Sequence, residues 1–383
     1  MRWLIMIQTT AARRTDPYPI ISAPARPPYP GIVEAVRALA RGWNQANGPE
    51  TFPADRLDAL NAAGALTGFT TVPSVEAVDT LDRVLRLVGG ADLSLGRIYE
   101  GHVNAAQLVD AYGDDGQRAF LAGGRVAGVW NTEPAPGMTI APAGDGRWRL
   151  GGAKSFATGG GHIDAALITA GLPDGGKQLV LVDIADHADR SDNGAWRVRG
   201  MRATGSGLYD FDGLIVGPDA LIGAPGDYER EPRFSAGAWR FTAVQLGAVE
   251  ALVRHLRDHL VRTGKGDDPV QRRRFADCVV AARSAGMWVR RAARMAEAAD
   301  PRAVPFVLMT RGVVEEAGLL VMDAAARGVG TASFFEDSRI DRITRDLGLY
   351  LRQPAPDQAR DRAAAAWLDA DRWGDEPGEE PWW

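Results

Sequence analysis

The stretch that decides the fold opens with Val126-Ala-Gly-Val-Trp130-Asn-Thr132-Glu133-Pro134 and continues as Leu150-Gly-Gly-Ala-Lys154-Ser-Phe156-Ala-Thr158-Gly-Gly160. It closes with Gly200-Met-Arg202-Ala-Thr204-Gly-Ser206 and Tyr209-Asp-Phe-Asp-Gly-Leu-Ile-Val216. Runs of β-forming residues at 163–169, 177–184 and 208–216 lie between clusters of Gly, Pro, Asn and Asp. Short strands punctuated in this way point to a small β-barrel or sandwich. In the last run Leu208, Leu214 and Val216 fall in one period-two register, as expected of a single strand.

On both sides the pattern turns helical. Ile32, Val33, Val36 and Leu39 recur every three or four residues, as do Leu57, Leu60 and Ala63. Downstream, helices are expected at 236–262, 270–299, 305–328 and 338–352, joined by short connectors, which makes a four-helix bundle. The expected architecture is an α+β multidomain chain: a leader at 1–30 crowded with Arg and Pro and read as disordered, a helical domain at 31–124, a central β-barrel at 125–222, a C-terminal helical bundle at 223–355 and a tail at 356–383. The tail is rich in Asp, Glu, Pro and Trp, and is expected to be mobile or to dock on a neighbour through its aromatics.

Composition narrows the classes of function. The 383 residues exceed one compact core. The 44 Lys and Arg against 49 Asp and Glu leave a net charge of −5, which argues against nucleic acid as the main partner. A single cysteine, Cys278, excludes an intramolecular disulfide and a Cys-rich metal site, as expected of a reducing compartment and a cytoplasmic protein. The first apolar run is too short for a signal-peptide core, and none approaches the ~20 residues of a membrane helix. His255 and His259 have the spacing of a two-His site but lack the accompanying Glu, so they are expected to be solvent-exposed, and no metal is expected.

The order Trp-Asn-Thr-Glu-Pro, Leu-Gly-Gly-Ala-Lys-Ser-Phe-Ala-Thr-Gly and Gly-Met-Arg-Ala-Thr-Gly-Ser resembles the middle domain of the acyl-CoA dehydrogenase superfamily of flavoproteins. Phe52-Pro-Ala-Asp-Arg-Leu and Phe241-Thr-Ala-Val-Gln-Leu-Gly247 resemble that superfamily's flanking helices. The resemblance implies FAD, with FMN as the alternative, held by Trp130, Asn131, Thr132, Phe156 and Thr158, with Arg262 towards the adenine half. It implies a substrate lined by Tyr99, Met138 and Arg240, and catalytic duties for Glu100 and His102 on the segment that looks onto the cavity. Buried polar clusters of this kind equally serve as packing, so a structural role for Tyr99, Glu100, His102 and Asn104 stays open.

Dehydrogenation of an acyl thioester needs a carboxylate to take the α-proton. The superfamily's late Glu-Gly-Thr step is absent here, where the chain reads Arg345-Asp346-Leu and ends this stretch at Gln353-Pro354. Residues 237–240, the other usual site for that Glu, contain no carboxylate, which leaves Glu100 and Asp346 as candidates. Two activities follow, oxidation of an acyl thioester or related small molecule, and monooxygenation with reduced flavin as in a sister group resembling dibenzothiophene monooxygenase. Gly101-His102 and Arg345-Asp-Leu lean towards the sister group, whereas Arg352 or Gln353 stands where its C-terminal His would be. A third reading is a non-catalytic relative that binds an acyl group or a protein. The expected partners are a small substrate, acyl-CoA among the candidates, a flavin reductase or electron-transfer flavoprotein, and further copies of the chain in a homodimer or homotetramer, with neither nucleic acid nor membrane.

Overall fold

The computed structural model describes residues 29–44 and 50–369. Most of the expected leader and the end of the expected tail lie outside the described residues. Five helices come first: α1 (Tyr29–Trp43), α2 (Ala54–Ala62), α3 (Val75–Ala91), α4 (Leu93–Tyr112) and α5 (Asp115–Ala122). Their starts follow local chemistry. Ser74 accepts the amide of Ala77 at 3.1 Å and Asp92 that of Leu95 at 3.0 Å, while Asp114 and Gln117 form a reciprocal capping box.

Ten short strands follow: β1 (Ala127–Trp130), β2 (Thr139–Gly144), β3 (Arg147–Gly151), β4 (Ala153–Ser155), β5 (Ala165–Gly171), β6 (Lys177–Asp183), β7 (Ser191–Asp192), β8 (Leu208–Asp210), β9 (Ile215–Val216) and β10 (Leu221–Ile222). Seven make one sheet in the order β10-β6-β5-β2-β3-β9, with β1 added parallel to β5, and β4-β8-β7 make a second. Among the described residues no ladder closes the larger sheet between β10 and β9, so the expected barrel takes the form of two open sheets. The expected single strand at 208–216 is also broken. Gly213 turns at φ 75°, which splits the run into β8 of the small sheet and β9 of the large one. Tyr209, Phe211 and Val216 are the residues buried there, while Leu208 and Leu214 are only half-buried.

The helices resume with α6 (Arg233–Ala236), α7 (Trp239–Arg262), α8 (Pro269–Glu297), α9 (Ala303–Val329), α10 (Arg339–Tyr350) and α11 (Pro356–Asp369). Helices α7, α8 and α9 pack along one another, and α10 lies against α7 and α9. Helix α11 falls within the expected tail, where Ala359, Ala363 and Trp367 form an i, i+4, i+8 stripe laid on α9 and reaching Trp288 of α8.

Small residues let α3 approach α7. A Cβ on Gly89 would stand 2.2 Å from the Val244 carbonyl oxygen, and one on Gly247 would stand 2.1 Å from that of Arg86. One apolar core continues from Ile32 and Leu85 through Val244 and Leu252 to Trp130, Ile168 and Leu347, so helices and sheet share an interior. This continuity fixes α4 against β1, and the candidate site forms along that seam.

Candidate active site

The two loops singled out in the sequence are joined. The Ser155 amide donates to the Thr132 carbonyl at 2.9 Å, and the Trp130 indole donates to the Thr158 carbonyl at 3.0 Å. Beneath them Lys154 is fully buried and donates to Glu133 at 2.6 Å, to the Asn131 carbonyl at 3.2 Å and to Thr169 at 3.3 Å. Thr169 in turn donates to the Asn131 side chain at 2.7 Å. Burial pushes the Lys154 ammonium down, with Glu133 opposing, and Lys154 in return outweighs burial to hold the Glu133 carboxyl below its ordinary range. Lys154, Glu133 and Asn131 are therefore occupied in locking the turn, while Thr132 remains exposed at its rim.

Phe156 is 54% exposed, in the left-handed region at φ 54°. A large apolar side chain held outward on strained backbone calls for a reason beyond packing. Its ring meets Trp196 edge-on at 5.9 Å. Two residues on, the Thr158 hydroxyl lies 3.2 Å from Ser206, which lies 2.8 Å from Thr204, which donates to the Met201 carbonyl at 2.8 Å. The Met201 amide then donates to Asp346 on α10 at 2.5 Å. Burial raises the Asp346 carboxyl to about 6, against the opposing Met201 amide. This hydroxyl line ties Thr158 to the bundle.

Between α4, β1 and residues 158–163 lies a narrow cleft of about 10 Å³, the room of roughly one water. Arg97, Ile98, Gly101, Val129, Trp130 and Thr158 are among its walls, and no carboxylate lines it. Of the residues expected to touch cofactor or substrate, it gathers Trp130 and Thr158. Arg97 and Ile163 are not marked as site residues by the sequence, and Gly101 is marked there only as part of the Gly101-His102 pair, one helical turn from Arg97.

The remaining expected site residues lie elsewhere. Tyr99 donates to the Ala65 carbonyl at 3.1 Å. The His102 Nδ1 accepts the Ala127 amide at 3.2 Å, so its Nε2 carries the proton and donates to the Leu66 carbonyl at 2.9 Å. Burial lowers the imidazole, which is neutral and has both nitrogens committed to backbone, a correction to the catalytic duty expected of it. Glu100 is buried, bound to Arg97 and accepting Tyr350 Oη at 3.3 Å. Met138 is core, its carbonyl accepting the Gly171 amide at 3.0 Å. Arg240 is buried between Gln107 and Glu297, the latter at 3.1 Å, with its guanidinium pushed down by burial, so it packs α7 on α4 and α8 and does not face the cleft. Arg262 is exposed in the last turn of α7, 3.4 Å from His259.

His255 and His259 are half-buried, contrary to the expected exposure, and burial beside Arg339 and Arg254 lowers His255 to about 4. Among the described residues no group of three His, Cys, Asp or Glu could hold a metal, and no helix is long and apolar enough to cross a membrane.

The order and packing of these helices and sheets are shared with solved flavin-binding proteins. Residues 231–350 match the acyl-CoA dehydrogenase C-terminal domain, which bears out the resemblance read from the sequence. Dibenzothiophene monooxygenase of Mycolicibacterium goodii is 28% identical over 220 residues, 50% of this chain and 52% of that protein. Isobutyryl-CoA dehydrogenase of Dictyostelium discoideum is 23% identical over 350 residues, 83% of this chain and 81% of its own length. The chain spans about half the length of the curated dibenzothiophene monooxygenases it matches. In three dimensions TdsC of Paenibacillus sp. A11-2, solved with FMN and indole, shares the fold with a TM-score of 0.77 at 18% identity, over 88% of this chain and 97% of that one.

Proposed function

We propose that the chain is a flavin-dependent oxidoreductase whose cofactor rests against Phe156 and Thr158 and whose substrate enters the cleft beside Trp130. The observation that carries this reading is Phe156, an aromatic ring held out to solvent on left-handed backbone next to a ladder of hydroxyls. An apolar face and a hydrogen-bonding edge are what a planar, heteroatom-rich ring requires of its host. FMN and FAD both suit these features, and the FMN-bound relative shares the fold. When bound, a flavin supplies two-electron redox chemistry towards an organic substrate and, in its reduced form, towards dioxygen.

Around it the chain's own residues have separable tasks. Lys154, Glu133 and Asn131 hold the 130–134 turn, the Thr158–Ser206–Thr204 hydroxyls orient the edge, and Ile98, Val129 and Ile163 keep water from the cleft. Oxygen transfer is the favoured activity, because the lining has no carboxylate to remove an α-proton. Dehydrogenation is the second reading, carried by Glu100, which sits between the lining residues Arg97 and Gly101 on α4.

The division into a helical domain at 31–124, a two-sheet domain at 125–222 and a bundle at 223–355 belongs to the same proposal. So does association into a dimer or tetramer, supported by Val280, Met287, Leu319 and Leu320 exposed on α8 and α9. The test is oxygen uptake with chemically reduced FMN and a panel of small aromatic substrates, set against dye reduction with an acyl-CoA panel. Oxygen transfer to an aromatic substrate without dye reduction is the expected outcome. Dye reduction that disappears in Glu100→Gln would move the assignment to the second reading.

A further inference from the structure

The Phe156 ring and the Thr158 hydroxyl are both held through one residue outside their own loop. Phe156 meets Trp196 edge-on, and the Trp196 indole donates to the Met201 carbonyl at 3.0 Å. The hydroxyl line from Thr158 through Ser206 and Thr204 ends on that same carbonyl, 2.8 Å from the Thr204 oxygen. A carbonyl has no proton to give, so Thr204 donates to Met201, Ser206 to Thr204 and Thr158 to Ser206. The direction of every hydroxyl in the line therefore follows from where the Met201 carbonyl points.

Met201 does not keep that place by its own preference. Its backbone is left-handed at φ 58°, a conformation that a methionine adopts only where its surroundings impose it. They do so from α10. The Met201 amide donates to Asp346 Oδ1 at 2.5 Å, and two residues earlier the Arg199 carbonyl accepts Arg345 Nη1 at 2.8 Å. Gly200, between them, lies so close to the helix that a Cβ there would stand 2.0 Å from the Arg345 carbonyl oxygen. Asp346 is itself buried, with Arg342 Nε 3.8 Å away. Burying a carboxylate is costly, and the Met201 amide is the structural return for it.

Resting on the proposed flavin site, we infer that Asp346 is a positioning residue for it. Asp346 fixes Met201 in the left-handed region. Through the Met201 carbonyl it sets the Trp196 indole against Phe156 and orients the Thr158 hydroxyl. The C-terminal bundle thus governs the flavin-facing edge through a single carboxylate.

The test uses the full chain labelled with fluorotryptophan, in which the Trp196 resonance is assigned by its loss in Trp196→Phe, together with titration of FMN. Asp346→Leu removes the acceptor, whereas Asp346→Asn keeps it and removes only the charge. In Asp346→Leu the Trp196 resonance should shift and FMN should bind roughly fivefold more weakly or worse, the worth of one misplaced hydrogen bond. Asp346→Asn should return both readouts to within about twofold of wild type. Ser338→Ala removes the side chain that caps α10 at the Asp341 amide, weakens that helix away from Met201, and should leave both readouts unchanged. Urea unfolding of each variant confines the comparison to folded protein. Wild-type FMN affinity in Asp346→Leu, an Asn variant as impaired as the Leu variant, or an equal loss of FMN affinity in Ser338→Ala each overturns the inference. Failure of the flavin reading registers separately, as wild-type protein that binds no FMN, while the Trp196 resonance of flavin-free protein still judges the hold of Asp346 on the loop.

Discussion

The two sides of α4 put their residues to opposite uses. On one side Tyr99, His102 and Gln107, the types most often associated with chemistry, donate to the carbonyls of Ala65, Leu66 and Phe69 and so tie the helix to the 65–69 turn. On the other side an arginine and a glycine face open space beside Trp130 and Thr158. What separates the two sides is whether each polar atom already has a backbone partner. Buried polar groups are nearly always satisfied, so a histidine with both nitrogens committed marks architecture, whereas open space next to a fixed charge marks a place for a ligand.

Substitutions on each side sharpen this contrast, beginning with the largest expected effect. Arg240→Met breaks the Gln107 and Glu297 contacts and leaves the half-buried Glu297 carboxylate with the Trp239 indole as its partner, at a cost of about 3 kcal/mol in urea unfolding. The loss should appear equally with and without flavin, since Arg240 packs helices and does not face the cleft.

Asp346 provides the next effect, through pH. Its folded carboxyl titrates at about 6, above the ordinary carboxylate value, so the folded state holds the proton more tightly than the unfolded chain. Its contribution is therefore fully present below about pH 4 and is lost as pH rises to about 6, a fall on the order of 3 kcal/mol. Asp92 faces this carboxyl as a second anion, and Arg342 and Arg345 oppose it. Asp346→Asn, which keeps an acceptor for the Met201 amide, should flatten that limb of a stability–pH profile.

His102→Ala comes third. Leaving the Leu66 carbonyl and the Ala127 amide unpaired costs about 2 kcal/mol of stability. Ligand affinity of the folded protein should not change, and an effect confined to turnover would break the contrast between the sides of α4.

Much of this was legible in the sequence. The four long helices fall within a few residues of their expected bounds, because their apolar stripes are long and periodic. The juxtaposition of residues 130–134 with 154–158 was readable from motif order. Helix α11 was not, since an Ala, Arg and Asp run carries little apolar signal until Trp367 finds Trp288. The strand pair β8 and β9 was masked by an alternation that the turn at Gly213 breaks. Gly101 was legible only as part of the Gly101-His102 pair, because the space in front of a glycine belongs to tertiary structure. The duties expected of His102, Met138 and Arg240 rested on residue type and resemblance, and neither conveys where a side chain's hydrogen bonds go.

The smallest effect on stability bears most directly on the central claim. Phe156→Ala removes an exposed ring and should change unfolding free energy by no more than about 0.5 kcal/mol. Titration of FMN and FAD, followed by quenching of flavin fluorescence, should show that the wild-type protein binds flavin and that Phe156→Ala binds it roughly tenfold more weakly, the worth of one aromatic contact. A wild-type protein that binds neither flavin, or an affinity indifferent to Phe156, would contradict the account.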